Sequence, residues 1–182
     1  MTTSLVVTLI GADRPGIVNA LSDVAQRFGA NWAGSRMASL AGQFAGIVHF
    51  EVPDPEAEPL ARALRELNAS GLHVVIARGA ATPLPGARRL VRLELVGHDR
   101  PGIVRELSGT LARRGVSIEE LQTEIASAPM SAERLFKVNA RLDLPEGFTD
   151  DELRRDLEAL ANEMMVGIEV GTPAGDAKPH GA

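Results

Sequence analysis

The 182-residue chain contains no cysteine. That excludes disulfides, thiolate zinc sites and a cysteine nucleophile. Aromatic residues make up only 3%, with one Trp and no Tyr. Proteins that hold single-stranded nucleic acid stack its bases on aromatic rings over a basic groove. This chain has few rings and a net charge of −5, so no direct nucleic-acid contact is expected. No apolar run reaches the roughly 18 residues of a membrane span. The N-terminus "MTTSLVVTLIGADRPG" has no basic stretch ahead of its short apolar run, so it does not read as a signal peptide. A reducing cytoplasm is the simplest setting. None of His49, His73, His98 and His180 pairs at metal-ligand spacing, and no G-x-S-x-G motif occurs. Neither metal, cofactor nor catalytic group is expected. The acidic cluster Glu119, Glu120 and Glu124 and the Arg pairs at 88–89, 113–114 and 154–155 read as solvated surface.

One phrase occurs twice. "GADRPGIV" at residues 11–18 returns as "GHDRPGIV" at 97–104, an offset of 97 − 11 = 86. The same offset matches Leu21 to Leu107, Ser22 to Ser108, Arg27 to Arg113 and Gly29 to Gly115, and "LVVTLI" (5–10) to "VRLELV" (91–96). This is an internal duplication, and it sets the architecture.

Within one unit, Val91, Leu93 and Leu95 alternate with Arg92 and Glu94, the signature of a strand with one wet face. After the phrase, Ile17, Val18, Leu21, Val24, Ala25 and Phe28 form a helical stripe. Pro15 and Pro101 suit the first helical turn, and Gly29 and Gly115 a left-handed helix end. Strands follow at 31–40 and 117–125, then at 44–52 and 136–144. A second helix carries Leu60, Ala63, Leu64 and Leu67 in the first unit, stopping at Gly71. In the second unit it carries Leu153, Leu157, Leu160 and Met164 behind a capping box from Thr149 to Glu152. Last strands fall at 72–77 and 166–170. The order is βαββαβ, twice, which predicts two ferredoxin-like α+β domains, each a four-stranded antiparallel sheet with two helices on one face. The expected domains are 1–78 and 90–171, joined by a Gly/Pro-rich linker at 79–89 and followed by a disordered tail at 172–182. Pro53 and Pro145 are 92 apart, so the second unit carries 92 − 86 = 6 extra residues, which fit in "ASAPMSAER" (126–134). Units of this size bury little surface and leave sheet edges open, so pairing within the chain and a homodimer are expected.

The phrase has three readings. A phosphate loop fails, because Ile17-Val18 and Ile103-Val104 stand where Lys and Ser/Thr belong. A plain strand-to-helix turn, with Asp13 and Asp99 as caps, is one alternative. A small-ligand site is the other. Free N–H groups at a helix start favour a carboxylate, and Gly11, Gly16, Gly97 and Gly102 leave room for approach. Asp13 and Asp99 suit an ammonium, so the set describes an α-amino acid. Asn31 and Ser117, just past the helix, could add contacts. His98, which replaces Ala12, is either a ligand contact or an exposed loop residue.

The "DRPGIV" opening, followed by a helix, "G-x-N" and a strand, resembles the ACT domains, and the resemblance covers nearly all of residues 4 to 171. "SRMASLAGQFAGIV" (35–48), "APMS" (128–131) and "LFKVNARL" (135–142) resemble the glycine cleavage system regulatory proteins, a family of transcriptional repressors. The resemblance implies tandem modules that bind an amino acid such as glycine or serine at Gly11, Asp13 and Asn31 and at Gly97, Asp99 and Ser117. It further implies a regulator acting through a protein partner such as a transcription factor. The chain departs in having Asp13 and Asp99 where serine binders often carry Asn, and Ser117 where Asn is usual. A ligand-free oligomerisation or interaction module is the competing expectation.

Overall fold

In a computed structural model of the protein, the alternating segments are strands and the 3.6-residue stripes are helices. The structure describes residues 1–79, 89–127, 134–164 and 166–171. The expected linker beyond Gly79, the segment containing "APMS", the tail from 172 and the side chain of Met164 lie outside the described residues. The chain divides into two compact units. The first runs β1 (Thr2–Ala12), α1 (Ile17–Arg27), β2 (Asn31–Leu40), β3 (Gln43–Pro53), α2 (Ala57–Glu66) and β4 (Leu72–Arg78), with a short 3-10 turn at Leu67–Ser70. The second runs β5 (Arg89–His98), α3 (Ile103–Arg113), β6 (Ser117–Ser127), β7 (Arg134–Leu144), α4 (Asp150–Met164) and β8 (Gly167–Gly171).

The strand orders are β2-β3-β1-β4 and β6-β7-β5-β8, antiparallel throughout. Both units are therefore ferredoxin-like, and α+β in class. Alternation decides which face is covered. Leu5, Val7 and Leu9 of β1 point to the helices and meet Ile17, Leu21 and Val24 of α1 and Leu60 and Leu64 of α2. Each fully buried leucine stabilises its unit by roughly 1.5–3 kcal/mol. Trp32 packs edge-on against Phe50, with ring centroids 5.2 Å apart. Leu93, Leu95, Leu107, Leu111, Leu153 and Leu157 form the matching core of the second unit. No helix among the described residues is long and apolar enough to cross a membrane, which says nothing about β-barrels.

Local signals explain the helix ends. Gly29 and Gly115 are left-handed, at φ 62° and 69°. In both, the glycine N–H and the next N–H bond back to helix carbonyls: Gly29 to Gln26 and Ala30 to Ala25, Gly115 to Ala112 and Val116 to Leu111. That pair of bonds is the Schellman motif. Thr149 and Glu152 form the expected capping box at α4, the Thr149 N–H donating to the Glu152 carboxylate and the Glu152 N–H to the Thr149 hydroxyl. The prolines differ from expectation. Pro15 and Pro101 are not in the first helical turn, because a left-handed glycine separates each from its helix. Gly16 (φ 91°, ψ −2°) and Gly102 (φ 98°, ψ −10°) have the dihedrals of the third residue of a type II turn, which puts the proline at the second.

A β-bulge recurs at equivalent places, with register steps between Trp32 and Gly34 and between Ile118 and Glu120. The two units part at the next hairpin. Leu40 and Gln43 pair across the two-residue turn Ala41-Gly42, where both φ angles are positive. The equivalent pair, Ala126 and Leu135, is followed by one more pair, Ser127 with Arg134. The six extra residues therefore fall between Ala126 and Leu135.

Candidate functional site

The turn that ends β1 is held to the tip of the β2–β3 hairpin. Asp13 N–H donates to the Gly42 carbonyl at 2.9 Å, and the Ser39 hydroxyl donates to Asp13 Oδ2 at 2.6 Å. In the second unit Asp99 N–H donates to the Arg134 carbonyl at 3.0 Å, and the Arg134 guanidinium stands 3.2 Å from Asp99 Oδ2. The N-cap residues Gly16 and Gly102 have no side chain to cap with, and the side-chain contacts of the two aspartates go to Ser39 and Arg134. The first helical bonds run from Ala20 N–H to the Gly16 carbonyl and from Glu106 N–H to the Gly102 carbonyl. The preceding N–H groups of each helix form a positive end, as at any uncapped start.

The two starts differ in what surrounds them. Arg14 turns away and donates to the Ser70 carbonyl at 3.1 Å. Arg100 folds onto its own helix and donates twice to Glu106, at 3.0 and 2.6 Å. Those bonds hold the Glu106 carboxyl below its ordinary range. The Glu106 carboxylate comes close to the turn, for a Cβ placed on Gly102 would lie 3.4 Å from its Oε1, whereas one on Gly16 would meet nothing within 4 Å. A hollow of about 490 Å³ runs from Gly102 along Arg105, Glu106, Gly109, Thr110 and Arg113 to Leu160, so it lies beside α3 and away from Asp99.

The other expected site residues are placed as follows. Gly11 and Gly97 are buried on the helix side of their strands, so they present no open backbone to a ligand at that face. Their need for glycine is packing. A Cβ on Gly11 would lie 2.7 Å from the Gly71 carbonyl oxygen, and one on Gly97 would overlap the Val166 side chain. His98 is exposed and opposite Leu135. Asn31 and Ser117 do not stand beside the turn of their own unit. Asn31 pairs with Glu51 and Gly11 with Phe44, 51 − 44 = 7 residues apart along β3. At about 3.3 Å per residue the separation is roughly 23 Å. Ser117 pairs with Asp143 and Gly97 with Phe136, again seven residues apart. The helix between the phrase and Asn31 carries the chain back to the far end of the sheet. There Asn31 donates to Glu51 at 3.4 Å.

Ser39, Arg100, Glu106 and Arg134 were not among the expected site residues. Glu106 was detectable as the acidic counterpart of Ala20 at the 86-residue offset. Arg134 stands where the first unit has Gly42 (134 − 92 = 42), a correspondence that the 86-residue offset misses because the six extra residues precede it.

The sequence model of the ACT domain family matches residues 3–76 and again 90–171. The chain belongs to the ACT domain family. Its two ACT modules are the two units described above. The chain is 25% identical to the glycine cleavage system transcriptional repressor of Escherichia coli (strain K12) over 162 residues, 88% of this chain and 85% of that protein. The repressor of the same name from Shigella flexneri matches to the same extent. Among solved structures, a protein of unknown function from Galdieria sulphuraria is 31% identical, with a TM-score of 0.84 over 94% of this chain and 98% of that one.

Proposed function

We propose that this tandem ACT protein is a non-catalytic, cytoplasmic regulator that binds a small α-amino acid, glycine or a serine-like relative. It would pass that signal to a protein partner, such as a transcription factor, and so control the glycine cleavage system without touching DNA itself. The observation that carries the reading is the start of α1: an uncapped helix end behind a left-handed glycine, with the Asp13 carboxylate on the same turn. A carboxylate meets the N–H groups and an ammonium meets Asp13. The likeness to the repressors supports the choice of pathway. Asn31 lies too far from Asp13 to meet the same small ligand within one module. Its part in the site therefore requires a second copy of the chain to present it.

A second reading has its own support. Asp13 and Asp99 are each already engaged by the hairpin of their own module. On that reading the turn is a structural joint and the protein is a ligand-free interaction module. Calorimetric titration with glycine, serine, alanine and an uncharged control separates the two. Saturable heat with glycine or serine supports the sensor. No heat with any amino acid, at millimolar ligand, supports the joint.

A further inference from the structure

The two modules present different chemistry on the sheet face that their helices leave open. Across the middle of the first sheet, the register puts Arg36, Ile47, Thr8 and Val75 in one row. The row on one side is Ala38, Ala45, Ile10 and His73; on the other it is Gly34, His49, Val6 and Ala77. His49 is hydrogen-bonded to Ser4 at 2.7 Å, and Arg36 and Glu51 stand at the margins. The centre is apolar, and it is open: Ile10 is 46% exposed, Ile47 51% and Val75 67%. The matching rows of the second sheet are Gln122, Asn139, Glu94 and Glu169, then Glu124, Lys137, Val96 and Gly167, then Glu120, Arg141, Arg92 and Gly171. Ion pairs cross that face: Arg92 with Glu94 at 3.0 Å, Lys137 with Glu124 at 3.5 Å and Arg141 with Glu120 at 3.7 Å. The second face is built to meet water. The fold is the same, so the apolar face of the first is a property of its sequence and not of the topology.

We infer that the open sheet face of the first ACT module is the dimer interface, covered by the same face of a second copy of this chain. Large exposed apolar patches mark interaction surfaces. Area and shape select the occupant. Four strands at about 4.8 Å spacing, along strands of seven to eleven residues at about 3.3 Å each, give a plane of roughly 450–700 Å². Buried on both partners, that reaches the roughly 1,000 Å² a specific interface needs. The face is lined by small and β-branched residues and is low in relief, as face-to-face sheets about 10 Å apart require. A two-fold contact uses one patch twice, and an apolar patch with no central charge matches itself. This inference is independent of ligand binding.

Sedimentation equilibrium of the full chain from about 1 to 500 µM tests it. The mass of wild type should rise towards 2 × 19.3 = 38.6 kDa. Ile47→Lys and Val75→Lys should hold it at 19.3 kDa with the thermal melt of the monomer preserved, because both side chains are exposed. Asn139→Lys, in the row equivalent to that of Ile47, should leave the dimer intact. The chain has no cysteine, so Thr8→Cys in the middle row adds a probe that disturbs little. A bis-maleimide spanning about 10 Å should link that variant into dimers. A wild type that stays at monomer mass at the highest concentration would overturn the inference and leave the face to a different protein. A dimer that survives both lysine variants, or no cross-linking of a dimeric Thr8→Cys chain, would overturn it equally.

Discussion

At position 20 the first module has alanine; at the equivalent position 106 the second has glutamate. Around that one exchange the two turns have become different electrostatic objects on the same backbone. In the second, Arg134 neutralises Asp99, and Glu106 neutralises Arg100 while reaching towards the helix start. Its charges are satisfied internally. In the first, the Asp13 carboxylate meets a neutral hydroxyl from Ser39, and Arg14 donates to a backbone carbonyl. A zwitterion gains from an unneutralised carboxylate beside an open helix start and gains little where both positions are already paired. On the proposed reading, one copy of the duplicated fold keeps its turn for a ligand while the other pairs the same residues within itself. The open sheet faces show the same division, apolar in one and ion-paired in the other.

The largest expected effect tests that contrast directly. If the Asp13 carboxylate receives a ligand ammonium, Asp13→Ala removes a charge-assisted hydrogen bond. Such bonds contribute about 1.5–3 kcal/mol, so affinity for glycine or serine should fall roughly 10- to 150-fold. Asp99→Ala should change affinity by much less, because that carboxylate already has its cation. Titration of both variants decides, and equal losses would erase the asymmetry. The converse double variant, Glu106→Ala with Arg134→Ala, removes both partners that satisfy the charges of the second turn and should raise the number of bound ligands per chain.

Next in size is the packing of Gly11 and Gly97. Gly11→Ala must push against a backbone carbonyl and Gly97→Ala against a valine at the start of the last strand. Overpacking of this kind costs about 1–3 kcal/mol. In a module of this length each kcal/mol lowers the melting temperature by roughly 4–8 °C. Both melts should drop, and a melt within about 2 °C of wild type for either variant would show that its strand end yields. Gly16 should respond by a different route. Nothing crowds its Cβ position, so Gly16→Ala is strained only by its left-handed backbone, at roughly 1–2 kcal/mol. Gly16→Asn should recover much of that loss, since Asn tolerates this conformation. If Ala and Asn melt alike, the turn has relaxed to another geometry.

Most of the fold was legible because duplication reads the pattern twice. Gly29 and Gly115 each marked a left-handed stop, and Thr149 with Glu152 marked a start; both signals are local and act through backbone bonds a few residues away. What failed was long-range. Placing Asn31 beside Asp13 treated nearness in sequence to the helix end as nearness to the turn. The helix in between runs the length of the sheet, so the two ends of it face opposite ends of the strands. Pro15 failed for a subtler reason: proline suits both the first helical turn and the second position of a type II turn, and Gly16 at a positive φ decides between them. The partners of the two aspartates were invisible because Ser39 and Arg134 arrive from different registers of a hairpin whose lengths differ between modules.

The smallest expected effect exploits the one tryptophan. The carboxyls of Glu106, through Arg100, and Glu152, through the Thr149 N–H and hydroxyl, both lie below their ordinary value of 4.5. Both belong to the second module. A carboxylate with a lowered folded pKa adds stability that is fully present above its unfolded pKa and is lost as pH falls through the folded one. Acidification from pH 6 to below about pH 4.5 should therefore weaken the second module through these two groups. Trp32 is the single tryptophan and packs in the core of the first module, so its fluorescence follows that module alone, whereas far-ultraviolet circular dichroism follows both. On lowering the pH, the dichroism melt should move down first and broaden, with the Trp32 melt lagging behind. Arg100→Met together with Glu152→Gln removes the guanidinium that lowers the Glu106 carboxyl and takes the Glu152 carboxyl out of titration. In that double variant the lag should shrink, with the second module less stable at pH 6 and less sensitive to further acid. Coincident fluorescence and dichroism melts at every pH would mean either that the two modules unfold as one or that these two contacts add nothing to the second. The double variant separates those cases, because only in the first does it pull both melts down together at pH 6.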